Sequence, residues 1–240
     1  MLYMVILAHL LGDYLFQWEF IVRWKVHSLM GVLAHGGIVT ITTLVCTRLV
    51  APSWWPYALL IGLTHTVIDL VRVRLLHTVN PTWELIWYLF DQMAHLITIV
   101  LVVLWSGDYP WTGLNGTAGL LADRRVLAYI IGYLLLTNPA WVFLRFTVRG
   151  IWGSTAAPPL GEGEKYGPMV ERVLIASCVL TGQFHLIPLV LLPRRLVPIR
   201  MQENGAGVLT RLTSHWAETL LSVLLAIMVG LALRVINPGG

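Results

Sequence analysis

Apolar residues run in long stretches along most of the chain, and short polar or aromatic-basic segments separate them. A helix needs roughly 20 apolar residues to cross the hydrocarbon core of a bilayer. Windows of about 19 residues place such segments near 2–22, 29–49, 55–75, 85–105, 125–145, 169–192 and 215–235. The pattern predicts an all-α, polytopic transmembrane helix bundle of about seven spans. Asn138-Pro139 lies inside the fifth segment and removes a backbone donor, so that span is expected to be kinked or re-entrant. The first segment has no basic residue before its apolar part and carries His9 and Asp13, so it is expected to stay in the mature protein rather than be cleaved as a signal.

Composition agrees with this pattern. Hydrophobic residues make up 57% and charged residues 12% of the 240, against roughly 25% charged in soluble chains, and mean hydropathy is +0.75. A water-soluble domain and a disordered chain are both excluded. The expected organisation is a single integral membrane domain over 1–240, with a four-span half (1–105) and a three-span half (106–240). Cys46 and Cys178 both sit in apolar stretches, so no disulfide scaffold is expected. Net charge is +4, but the basic residues lie scattered between apolar runs, as juxtamembrane charge does. Membrane lipids are therefore the expected partners, with no nucleic acid. An apolar surface with eleven Trp also suits contact with other membrane proteins.

Tryptophans 54, 55, 83, 105 and 111 fall at segment ends, where their rings favour the headgroup layer. Strict alternation of seven spans divides the 16 Lys and Arg nine to seven, which decides no orientation. Over the first four spans the split is four to one, which favours cytoplasmic loops after spans one and three. Residues 146–168 read as an irregular connector. Residues 193–214 are basic with interspersed Leu, Val and Ile, a composition that can lie along headgroups. The Asn115 sequon is a short pattern and carries no weight.

Ionisable residues inside the spans are the main chemical signal. A charge at a helix centre costs about 2.5 to 3.5 kcal/mol by insertion scales. Even so, the first four spans hold His9 and Asp13, then His35, then His65 and Asp69, then Asp91 and His95. Three of these are His and Asp at i and i+4, on one helix face a turn apart. At about 1.5 Å rise per residue, all seven fall within a slab about 10 Å thick around the midplane. Imidazole and carboxylate together suit Zn, Mn or Fe, and helix bundles build metal sites from inward-facing side chains. Two other readings stay open: a structural hydrogen-bond network between helices, or a proton or ion relay.

Gln17 and Gln92 are candidate orienting donors, while Glu171, Arg172, His215 and Glu218 are expected near the interface. His27, His77 and His185 have no acidic partner at helical spacing. Neither a nucleophile motif nor a phosphate loop is present.

With HLLGDYLFQ at 9–17, an aromatic and basic turn, His35, HTVID at 65–69 and DQMAH at 91–95, the chain resembles the bacterial membrane proteins of domain of unknown function 3307. Pro139, the run GPMVERVLIASCVLTGQ at 167–183 and WAETLLS at 216–222 extend the likeness to the C-terminal half, with Val170 where the family has Leu. The resemblance implies a multi-pass inner-membrane protein. Its His and Asp pattern is similar to that of membrane-embedded metal-dependent hydrolases. The turn Arg23-Trp24-Lys25 is less Lys-rich than the family's, which weakens any phosphate-contacting role for it.

The leading expectation is a hydrolase of a lipid-linked or phosphorylated substrate, with a divalent Zn, Mn or Fe ion. His35, His65, Asp69 and Asp91 would be ligands with His9 beside them, and Asp13 and His95 would serve catalysis or complete the shell. Arg72 and Arg74, just beyond Asp69, are span-end charges that can attract a phosphate. The alternative is a non-catalytic membrane protein, either a proton or metal-ion carrier or a subunit of a larger assembly.

Overall fold

The structure, a computed structural model, describes residues 1–75, 80–107, 123–158, 165–192 and 208–236. Among them every regular element is helical and no strand occurs. The helices are α1 (Leu2–Leu10), α2 (Glu19–His27), α3 (Leu29–Arg48), α4 (Trp55–Leu75), α5 (Pro81–Trp105), α6 (Arg124–Leu135), α7 (Asn138–Trp152), α8 (Tyr166–Leu180) and α9 (Val208–Ile236). A π-helical turn, Leu11–Leu15, extends α1. His77, Trp111, Asn115 and most of the basic 193–214 segment lie outside the described residues.

Leu29–Arg48, Pro52–Arg74, Pro81–Trp105 and Ser214–Ile236 are long and apolar enough to cross a membrane. Two bent pairs raise the number to six if each counts as one span. The pair Arg124–Leu135 with Asn138–Trp152 bends by 41°, which is the kink expected at Pro139. Leu2–Leu15 with Glu19–His27 bends by 84°, where a single span over 2–22 was expected. The sixth expected span, 169–192, is interrupted: α8 ends at Leu180, and Gly182 takes a left-handed φ of +75°. There Gly182 N donates to Val179 O and Gln183 N to Cys178 O, closing the helix C-terminus in the way glycine permits. A hydropathy window reads composition and misses such a stop.

Two compact units form. The first comprises Met1–Thr78 with Ile86–Ile131, the second Val79–Leu85 with Gly132–Gly240.

In the first unit the polarity is inverted relative to a soluble fold. On α4, Leu63 and Val67 face outward at 64% and 51% exposure, whereas His65 and Asp69 are each 1% exposed. An apolar exterior around a polar interior suits lipid as the solvent. Helices α3 and α4 meet through two reciprocal Gly–Thr contacts, Gly36 against Thr66 and Gly62 against Thr40. A Cβ at either glycine would overlap the facing Thr Oγ1. Each Thr also returns its hydroxyl to a carbonyl one turn back, Thr40 Oγ1 to Gly36 O at 2.6 Å and Thr66 Oγ1 to Gly62 O at 2.8 Å. Small residues at fourfold spacing let helix backbones approach closely, and His35 and Thr66's neighbour His65 stand beside this contact.

In the second unit Leu136, Ile175, Ala176 and Ala226 form the core. Arg172, expected near the interface, is instead 1% exposed. Its Nε donates to Leu136 O at 2.7 Å and its terminal nitrogens reach Thr137 O and Ser222 Oγ at 3.4 and 3.3 Å. The break before Asn138-Pro139 leaves the Leu136 carbonyl without a helix donor, and the guanidinium supplies one. Among the aromatic residues expected at segment ends, Trp55, Trp83 and Trp105 are exposed, while Trp54 is buried at 1%.

Candidate metal centre

Four local features carry the polar side chains of the first unit inward. The π-helical turn inserts one residue into α1, closed by Phe16 N to Leu11 O at 2.8 Å, and it presents Asp13. Such turns recur at functional sites. Gly12 lets this turn approach α3, since a Cβ there would lie 3.1 Å from Val39 Cα. Helix α2 then folds back: Ser28 is extended, and its Oγ accepts from Met30 N at 3.2 Å to cap α3. Gly31 abuts the Trp24–Lys25 backbone so closely that a Cβ would clash. Ile21 and Lys25, one turn apart, thereby face inward while Phe20 and Trp24 face outward.

Asp13, His35, His65 and Asp69 converge from α1, α3 and α4. His35 Nε2 lies 3.0 Å from Asp13 Oδ1, 3.2 Å from His65 Nε2 and 3.5 Å from Asp69 Oδ2. His65 Nε2 lies 3.4 Å from Asp69 Oδ2 and 3.9 Å from Asp13 Oδ1. If each imidazole donated from Nε2 to its carboxylate, two N–H hydrogens would face each other across the 3.2 Å His35–His65 contact, because each nitrogen carries at most one hydrogen. The spacing is that of ligands around one ion: bonds of about 2.0–2.1 Å in a tetrahedral site put ligand atoms about 3.3–3.4 Å apart. Asp13 with His35 and His65, and His65 with Asp69 and His95, are each groups that can hold a metal ion.

Lys25 is the addition that sequence reasoning missed as a site residue. Its Nζ donates to Asp69 Oδ2 at 2.8 Å in a buried pair. Gln17, with its amide turned to satisfy both ends, donates to the Asp13 main-chain carbonyl at 2.8 Å and accepts from Lys25 Nζ at 3.2 Å. Nothing local distinguishes Lys25 from the exposed Arg23, because its burial comes from the fold-back of α2.

The remaining candidates surround this cluster. His9 is buried, with Nε2 4.0 Å from Asp13 Oδ2 and its ring 5.5 and 5.3 Å from those of His65 and His95. His95 stacks on His65 at 4.2 Å. Asp91 is set apart from the four: its Oδ2 accepts from Arg72 Nη1 at 2.8 Å and from Gln92 Nε2 at 3.0 Å. Gln92 in turn accepts from Tyr14 OH at 2.7 Å, and that hydroxyl lies 3.1 Å from Tyr88 OH. Arg72 is thus paired with a carboxylate inside the unit, whereas Arg74 is exposed. His27 and His185 are exposed as well.

The fold and site together define a helical protein with membrane-length apolar helices around a buried His and Asp cluster able to hold a metal. Residues 1–112 match the family described as Protein of unknown function (DUF3307), so that stretch carries the domain its motifs resemble. Every cluster residue falls within it, and the C-terminal likeness lies beyond the matched stretch. No curated protein and no solved structure matches the chain.

Proposed function

We propose that the chain is a multi-pass protein of the bacterial inner membrane that holds a divalent cation among Asp13, His35, His65 and Asp69, and uses it to hydrolyse a lipid-linked or phosphorylated substrate. The convergence of these four ligand atoms at 3.0–3.9 Å supports this reading. Two imidazoles and a carboxylate are a catalytic zinc set that leaves one position for water. Such an ion supplies a water acidified towards neutral pH and polarises the scissile group. Asp13, His35 and His65 would hold the ion, and Asp69 beside it would take the proton of the attacking water as general base. Lys25 donates to Asp69 Oδ2 at 2.8 Å and so holds the carboxylate against the cluster.

The buried Lys25–Asp69 pair favours a second reading, an ion carrier in which an internal ammonium and a cation alternate at one carboxylate. Metal content of the detergent-purified protein, with His35→Ala and His65→Ala beside it, tests the shared premise. About one Zn, Mn or Fe per chain, lost in both variants, followed by turnover of phosphoesters, supports the hydrolase. Metal retained without turnover but with ion flux in liposomes supports the carrier, and a folded protein that takes up no metal removes both.

A further inference from the structure

Resting on that reading, we propose that the centre is binuclear, with a second divalent cation held between Asp91 and His95 beside the first. Asp91 and His95 stand one turn apart on α5, 5% and 3% exposed. Asp91 Oδ1 and His95 Nε2 are 3.7 Å apart, and neither has a hydrogen-bond partner. That separation exceeds a hydrogen bond. It is instead the distance between two ligands about 2.1 Å from one ion at an angle of about 120°.

The Asp91 carboxylate is held for this purpose. Its Oδ2 is taken by Arg72 and Gln92, so Oδ1 alone remains as a lone-pair donor, and it faces His95. Buried polar atoms without partners are uncommon, and an opposed pair of them, one imidazole nitrogen and one carboxylate oxygen, is a cation-binding chemistry.

The two positions adjoin. The His65 and His95 rings stack 4.2 Å apart with planes 24° from parallel. Two-metal hydrolytic centres keep their ions about 3.5–4 Å apart. His65 is common to both groups, and Asp69 stands beside both positions: its Oδ2 lies 3.4 Å from His65 Nε2 and 3.5 Å from His35 Nε2, and it shares with His65 and His95 a set of ligand atoms all within 4.8 Å. It is therefore the carboxylate that adjoins both positions, where it serves as base to a water held by either ion.

The charge balance then points to the substrate class. Asp13, Asp69 and Asp91 are offset in part by Lys25 and Arg72, leaving one net negative charge, which a single divalent ion already overcompensates. Two leave about three positive charges, a field that a bound hydroxide and a phosphoryl group neutralise. A phosphoester, rather than an uncharged ester or amide, is the ligand such a centre selects.

The test is manganese loading of the full-length protein in detergent, with metal per chain by plasma mass spectrometry and electron paramagnetic resonance of the bound ions. Two Mn per chain with a spin-coupled signal, falling to one uncoupled Mn in His95→Gln, is the expected result. One Mn per chain at saturation without coupling overturns the second position and leaves the first intact. Two Mn retained in His95→Gln overturns it as well, and no Mn at all overturns the metal reading itself. The coupled signal of the unaltered protein decides the matter even if the variant fails to fold.

Discussion

Gly36→Ala tests whether the metal ligands depend on the close crossing of α3 and α4. The added Cβ would overlap Thr66 Oγ1. Rotation of Thr66 would give up its bond to Gly62 O and still leave its Cβ 3.0 Å from the new methyl. The helices must therefore part by a few tenths of an ångström, at a cost of about 1–3 kcal/mol for overpacking, or roughly 2–12 °C in thermal midpoint for a chain of this size. The functional effect is larger. His35 Nε2 and His65 Nε2 are 3.2 Å apart, and two ligands of one ion cannot exceed twice the bond length, about 4.2 Å. Parting by a few tenths of an ångström opens the pair past the roughly 3.3–3.4 Å of a tetrahedral site and towards that limit, so metal content falls. Two variants serve as controls. A Cβ at Gly37 meets nothing within 4 Å, so Gly37→Ala keeps both metal and midpoint. Thr66→Gly removes both the overlapping hydroxyl and the Cβ, so Gly36→Ala with Thr66→Gly regains most of the loss in a double-mutant cycle. Intrinsic tryptophan fluorescence on heating and plasma mass spectrometry read both quantities. Equal metal content in Gly36→Ala and Gly37→Ala would refute the reasoning.

Lys25→Met leaves Asp69 as an uncompensated buried carboxylate when no metal is bound, destabilising the metal-free protein by about 3–5 kcal/mol. Added Mn should then raise its thermal midpoint by more than it raises that of the unaltered protein; an equal rise means that Lys25 and the metal do not share Asp69. Arg172→Leu deprives the Leu136 carbonyl of its donor and should cost about 1–3 kcal/mol with metal content unchanged, since none of the metal-group residues lies in the second unit. Arg172→Lys should not rescue it, because one ammonium cannot reproduce the fork of contacts. Chelation should lower the midpoint of the unaltered protein by an amount that grows with the metal concentration removed, about 2.7 kcal/mol from a starting excess of 100 times Kd; an unmoved midpoint on complete chelation would mean that metal binding and folding are uncoupled.

Much of this protein was legible as a one-dimensional pattern. Runs of apolar residues specify helices and their apolar exterior, because a backbone in lipid must satisfy its hydrogen bonds within the segment. Pro139 specified the 41° bend, because a missing donor acts locally. The i, i+4 placement of His65 with Asp69 and of Asp91 with His95 specified which faces turn inward, since helix periodicity is also local. Tertiary structure decided the rest. The 84° turn before α2 contains neither Pro nor a left-handed residue among Phe16, Gln17 and Trp18; it is set by the seating of α2 against Gly31, and it alone separates buried Lys25 from exposed Arg23. The division of the seven ionisable side chains, with Asp13 drawn in beside His35 and Asp91 paired to Arg72, depends on helix rotation and on crossings as close as Gly36–Thr66. Helical spacing gives the face on which a residue stands, but its partner across the interface depends on the distance between two helices, which no single segment encodes.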